Sequence, residues 1–220
     1  DHHLCTGDMV GYGANPNEGI DLLRTLPNLS VVRGNHDQTA SNEHTITGFN
    51  HIALKAMTWT RKQLTPEYKL WLHELPLIIK KDEITLVHSS LFYPEDFSYI
   101  QNSSAAKCSF IQQVTQLCFC GHLHIPFAYK SENGKFHEAR LIPFQLIRSL
   151  LLEPNFRYII NVGSVGQPRD NNAQAAFVVY DNETKTATIH RVNYDILTAQ
   201  NKIIDAGLPE RLAERLANGY

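Results

Sequence analysis

Four times along this chain an apolar run stops short and is followed at once by Asp, Asn or His. The stretches are LCTGD at 4–8, LSVVRGNHD at 29–37, ITLVHSS at 84–90 and LCFCGHLH at 117–124. Short apolar runs bounded by such residues read as buried strands. Between the first two lies a helix signature: Asn15 caps, Pro16 takes the first helical position, and Glu18 completes a capping box. Ile20, Leu22, Leu23 and Leu26 give that helix its apolar face. Strand, glycine turn, helix, strand, glycine turn is the rhythm of a parallel α/β unit, whose polar residues collect at the carboxyl ends of the strands. The pattern predicts an α/β fold with its chemistry at those ends.

The remaining pattern predicts helices over about 50–64 and 66–75, a hairpin from LPLIIKK and ITLVHSS, and a short helix near 105–113. FAYKSENGKFHE reads as a hairpin about Asn133-Gly134, and AAFVVYD with KTATIHRV as another, before two helices over 195–206 and 209–217. At 220 residues the chain can bury one sizeable core, so a single domain over 1–220 is expected.

Composition narrows the function classes. A formal net charge of −2 gives no basic surface for nucleic acid. The most apolar segment, LIPFQLIRSLLL, is interrupted by Pro143, Gln145 and Arg148 and falls short of the roughly 18 residues of a membrane helix. The four cysteines form no CxxC, and Cys118 and Cys120 alternate along one strand, so a cytoplasmic protein without a disulfide framework is expected.

Carboxylate oxygen together with imidazole nitrogen suits Mn, Fe or Zn, and the lack of Cys at the strand ends argues against a structural zinc site. A lone His at a strand end is most often a satisfied core or surface residue, and Gly-Asp is a common turn. GNHD and GHLH, arriving in order after apolar strands, carry the weight.

Together, GDMVGYG, GNHD, VHSS and GHLH resemble the calcineurin-like metallophosphoesterases. GYGANPNE, FNHIALKAMTWT, NVGSVGQPRD and VNYDILTAQNKIIDAGLPERLAERL extend the resemblance to a prokaryotic phosphodiesterase/phosphatase subgroup. The resemblance implies a four-layer α-β-β-α sandwich of two mixed sheets and a site for two divalent ions (Mn, Fe, Zn, Ni or Mg). It makes Asp8 the bridging carboxylate, with Asn35, His88 and His122 completing the second metal's shell and His124 on the first. It implies that a metal-bridging hydroxide attacks phosphorus, with His36 as general acid or transition-state stabiliser, oriented by Asp37. NVGSVGQPRD is either a strand with a tight glycine loop or a substrate contact through Arg169 or its amides. The substrate is a phosphorylated small molecule, a nucleotide or a phosphoprotein, with 38–49 and 91–104 as expected pocket walls and no reading of the oligomeric state.

One departure from the family stands out. The first metal is expected to take two further ligands from an Asp-x-His that precedes a helix and the next strand. Here Asp1-His2-His3 is separated from Asp8 by four residues, whereas a crossover between parallel strands needs at least a dozen. Asp1 and His3 are therefore expected at the far end of the strand that Asp8 terminates, roughly 23 Å away if seven residues are extended. That leaves the first metal with Asp8 and His124. The chain opens on Asp rather than Met, and the expectation is a partial or processed domain lacking the family's first strand and helix. An interrupted sheet, an apolar seam and impaired hydrolysis would follow. The alternative is a non-catalytic metal-binding or protein-interaction module on the same fold.

Overall fold

The computed structural model describes residues 1–42 and 49–220. Its first half runs β1 (His3–Cys5), α1 (Pro16–Arg24), β2 (Leu29–Val31), α2 (Asn35–Ser41), α3 (His51–Gln63), α4 (Pro66–Glu74), β3 (Ile78–Lys81) and β4 (Ile84–Val87). A 3-10 turn at Pro94–Asp96 precedes α5 (Ser103–Gln112) and β5 (Leu117–Cys120). Then follow β6 (Phe127–Glu132), β7 (Arg140–Pro143), β8 (Ser149–Leu151), β9 (Phe156–Asn161), β10 (Ala175–Asp181), β11 (Thr186–Val192), α6 (Ile196–Asp205) and α7 (Glu210–Asn218).

A six-stranded mixed sheet of order β3-β4-β5-β9-β6-β7 forms the centre. Its β4, β5 and β9 are mutually parallel neighbours, so their carboxyl ends lie side by side. Both faces of this sheet are covered, which is why its inner strands are near-continuous apolar runs. Leu117, Phe119, Tyr158 and Ile160 point to one face, where they meet Ala176, Ala187 and Ile189. Cys118, Cys120 and Ile159 point to the other, against Ala106 and Phe110 of α5. The strands β10 and β11 instead alternate buried with more exposed residues, as a sheet with one covered face does.

The second sheet layer is in two pieces, the interruption expected of this chain. β1 and β2 form a parallel pair, and β10-β11-β8 a separate antiparallel sheet. The physical reason is that, among the described residues, no strand bonds the free edge of β1 to that of β10. Between them lies a cavity of about 820 Å³ lined by Leu4 and Cys5 on one side and Ala176 and Phe177 on the other. Leu23, Ile203, Leu212 and Leu216 from α1, α6 and α7 complete its walls.

Several local expectations need correction. Asn15 does not cap the backbone of α1; its amide donates to the Glu18 side chain at 3.2 Å instead. The strand that returns from β6 is β7, not the GKFHE segment. Residues 132–138 make two successive turns, and Phe136 folds down to stack on Phe110 at 6.4 Å. Burying that ring outweighs the short-range preference for a two-residue hairpin. The LIPFQLIRSLLL segment supplies β7 and β8, and no described helix is long and apolar enough to cross a membrane. All four cysteines are free.

In a parallel ladder alternate residues bond to alternate sides. His3 and Cys5 bond toward β2, which turns the N–H and C=O of Leu4 toward the cavity. We expect the Leu4 amide to exchange with deuterium in the fast class and that of Ile159 in the slowest. Amide-resolved exchange checks this, and equal protection of the two would contradict the open edge.

Candidate metal centre

The site is built where strands end. His88 follows β4, and His122 and His124 follow β5; Asp8 closes the turn after β1, and Asn35 opens α2 after β2. Asp8, His122 and His124 have left-handed backbones, with φ of 58°, 65° and 62°. A non-glycine residue held there costs on the order of 1–3 kcal/mol, and such strain concentrates at functional sites. Each abrupt turn swings a side chain back over the strand ends.

Asp8, His88 and His122 each offer a ligand atom within 4.8 Å of the others. His88 Nε2 lies 2.9 Å from His122 Nδ1, 3.2 Å from Asn35 Oδ1 and 3.3 Å from Asp8 Oδ2. On its other side, His88 Nδ1 is 2.6 Å from the Thr6 carbonyl oxygen. A carbonyl only accepts, so Nδ1 carries a proton and Nε2 is the nitrogen turned toward the group. His124 follows the same logic: Nδ1 donates to the Gln167 carbonyl oxygen at 2.7 Å, leaving Nε2 free. Fixing a ligand's tautomer through its second nitrogen is how proteins orient metal-binding histidines.

Electrostatics point the same way. Burial, then the charge of His88, pushes His122 down to about 3, and burial with Arg169 does the same to His124. Both are neutral donors at pH 7. Burial acts to lower His88 as well, but the Asp8 carboxylate overrides it and raises that group. Asp8 is held below its ordinary range because, against burial, the neighbouring His88, His36 and His122 favour its ionised form. Two imidazoles, a carboxylate and an amide oxygen crowd together around His88 Nε2. That donor set fits a divalent cation.

His36 stands beside this group. It is 6% exposed, and its Nδ1 is buried without a partner. Its ring packs edge-on against Tyr12 at 4.6 Å and Phe49 at 5.2 Å. A Cβ on Gly11 would sit 2.1 Å from His36 Nδ1, so only glycine leaves room for the ring.

Asp37 does not orient His36. Asp37 Oδ2 accepts from the backbone N–H of Asp8 at 2.7 Å and of Gly34 at 3.0 Å, and Oδ1 accepts from Met9 at 2.9 Å. The helical turn of α2 aims the carboxylate at the β1 turn, away from the imidazole that precedes it. Burial and the Asp8 charge push Asp37 up to about 7, against the pull of those N–H donors.

Asp1 and His3 lie at the opposite end of β1 from Asp8, and His3 Nδ1 is 2.8 Å from the Pro27 carbonyl oxygen. NVGSVGQPRD is a braced loop: Gly163 N–H donates to Asn161, Gln167 N–H to Ser164, and Arg169 N–H to the His124 carbonyl. The Arg169 side chain has its Cζ 6.0 Å from the Tyr12 ring centroid. Sequence reasoning missed Tyr99, which stacks on His122 at 4.0 Å, and Phe97, 5.7 Å from His88. Both fall in the 91–104 wall, where the aromatic-rich FSYI was the available signal. Of the other expected wall, residues 43–48 lie outside the described residues.

With this geometry in view, residues 1–185 match the calcineurin-like phosphoesterase superfamily domain. The chain belongs to that superfamily. It is 38% identical over 221 residues to the uncharacterized protein MJ0912 of Methanocaldococcus jannaschii, covering 98% of this chain and 86% of that protein. Its structure is similar to that of a metallophosphoesterase from Sphaerobacter thermophilus, with a TM-score of 0.83, 35% identity, and coverage of 100% of this chain and 89% of the other. The fold is shared with the hypothetical protein PH1004 of Pyrococcus horikoshii OT3, at TM-score 0.75 and 20% identity over 99% of this chain and 84% of that one. The chain is thus a phosphoesterase-fold protein of a metal-binding superfamily.

Two outcomes are expected. Dialysed protein should retain about one Mn²⁺ or Zn²⁺ per chain, and His88→Ala should bind it at least ~10-fold more weakly, read by elemental analysis and calorimetric titration. Asp37→Asn should destabilise the fold by about 2–4 kcal/mol, measured by denaturant unfolding, because an amide NH₂ would face backbone N–H donors in place of a carboxylate.

Proposed function

We propose that this chain is a metal-dependent hydrolase of phosphomonoesters or phosphodiesters, working at a dinuclear centre with manganese as a suitable ion. What supports this most is the convergence of His88 and His122 ring nitrogens with Asp8 beside a neutral His36 whose Nδ1 is unpartnered. Asp8, Asn35, His88 and His122 would hold one cation, and Asp8 with His124 would begin a second site. Bound cations supply Lewis acidity and an activated water near neutral pH.

The protein's own groups do the rest. The Asp37 clamp fixes the Asp8 turn. Asp8 Oδ1 accepts the His36 backbone N–H at 2.9 Å, tying the imidazole's position to the ligand's. Burial holds His36 below its ordinary value, so the ring is neutral at pH 7. Its remaining N–H is free to donate to a phosphoryl or leaving-group oxygen, which is stabilising as charge develops. The aromatic rings around it exclude water and keep that donor in one direction.

Two described ligands are few for a second cation, so turnover by this chain is expected to be slow. The same scarcity supports a second reading, a module that binds one metal without catalysis. The substrate would be a phosphorylated small molecule, nucleotide or phosphoprotein in a soluble, cytoplasmic setting.

Hydrolysis of p-nitrophenyl phosphate and its bis-ester with added Mn²⁺ tests the hydrolase reading. His36→Ala is expected to lower kcat about 10²- to 10⁴-fold with cation content unchanged, and Asp8→Asn to remove both activity and tight cation binding. Undiminished activity in either variant, or a wild type that binds one ion and turns over nothing, would favour the module.

A further inference from the structure

Three histidines follow the ends of β4 and β5, and two of them are held in the same way. His88 and His124 each donate Nδ1–H to a backbone carbonyl, of Thr6 at 2.6 Å and of Gln167 at 2.7 Å. His122 has no such anchor. Among the described residues its one ring hydrogen-bond contact is from Nδ1 to His88 Nε2, at 2.9 Å. That contact lies inside the ligand group itself, and a cation taken by these two nitrogens would end it, because a ligating nitrogen gives up its lone pair. A metal-binding imidazole ordinarily has its other side fixed, and losing that support weakens the site.

What lies on His122 instead is another ring. Tyr99 stacks on it face to face, with centroids 4.0 Å apart and planes inclined by 18°. Aromatic rings pair in a few preferred geometries, so a fixed Tyr99 plane restricts the plane of the imidazole. Tyr99 is 42% exposed, so filling the core does not account for its position.

The segment that carries Tyr99 is pinned on both sides of it. Ser89 Oγ, next to His88 in the chain, donates to the carbonyl of Ser98, and Ile100 is buried in one cluster with Phe110. Further back, the Leu91 N–H donates to Ser109 Oγ and the Phe92 N–H to Ser90 Oγ, each at 3.1 Å. Tyr93 and Phe97 have left-handed backbones, with φ of 48° and 50°. Such strain persists only where the surroundings over-determine it. Phe97 packs edge-on against His88 at 5.7 Å, so this one irregular segment presents a ring to each of two ligands.

We propose that Tyr99 is a positioning residue of the metal centre: its ring, stacked on His122, does for that ligand what the Thr6 and Gln167 carbonyls do for His88 and His124. The proposal rests on the cation-binding reading of the site and not on hydrolysis.

The experiment is titration of EDTA-treated, dialysed protein with Co²⁺, read by calorimetry and by visible absorption, which reports the geometry around the ion. Tyr99→Leu is expected to bind Co²⁺ ~10-fold more weakly and with an altered spectrum, whereas Tyr99→Phe, which keeps the ring, should match the wild type. Phe92→Leu is the control: that side chain is exposed on the same segment and pairs with Tyr93 rather than with a ligand, so its loss should leave Co²⁺ binding unchanged. Circular dichroism should show all three variants folded. Wild-type affinity and spectrum in Tyr99→Leu, or an equal weakening in Tyr99→Phe or in Phe92→Leu, would overturn the role of Tyr99. A wild type that takes up no Co²⁺ would overturn the cation-binding reading and this role with it. Uptake that follows the expected order while loaded protein hydrolyses no phosphoester would overturn the hydrolase reading and leave the role of Tyr99 standing.

Discussion

The buried Asp37 carboxylate is the interaction on which the rest of the site depends. Its two oxygens accept three backbone N–H groups, from Asp8, Met9 and Gly34, and so tie the turn after β1 to the turn after β2. These two turns belong to a two-stranded sheet with little ladder of its own. Gly34 permits the approach, because a Cβ there would sit 2.1 Å from Asp8 Oδ1. The clamp fixes Asp8, and Asp8 in turn fixes the His36 backbone and faces His88.

Around that clamp the large sheet contributes its geometry. Three parallel neighbours, β4, β5 and β9, end at one level, which brings residues 88, 122 and 161 together although they lie far apart in the chain. Backbone carbonyls then set the chemistry of the side chains: Thr6 fixes the tautomer of His88, and Gln167 that of His124. Burial keeps the His122 and His124 imidazoles neutral, whereas Asp8 is held ionised. Neutral nitrogens facing a fixed carboxylate form a ready cation site, and the same burial makes every unpartnered polar atom nearby costly. His36 Nδ1 and Gln167 Nε2 are two such atoms.

Much of this was legible in the sequence, and the failures have physical causes. The strand-end clusters could be read because apolar runs and glycine turns are local signals. His88 and His122 could be named as partners only through the resemblance, since no spacing rule links positions 34 residues apart across a helix and a strand. The resemblance implied that Asp37 orients His36, but successive helical residues point in different directions. The Asn133-Gly134 hairpin failed because Phe136 found a partner in Phe110. Tyr99 and Phe97 entered the site from a segment whose sequence shows only that it is irregular and aromatic.

By itself the sequence determined the α/β rhythm, the residue types at the strand ends and the falseness of Asp1 and His3 as ligands, because these depend on periodicity, turn chemistry and chain length. Only the tertiary structure decided which imidazole nitrogen faces the site, that Asp37 is a clamp, and that the second sheet is split about a cavity. Those properties are relations between residues distant in the chain, set by packing and burial, and no local pattern encodes them.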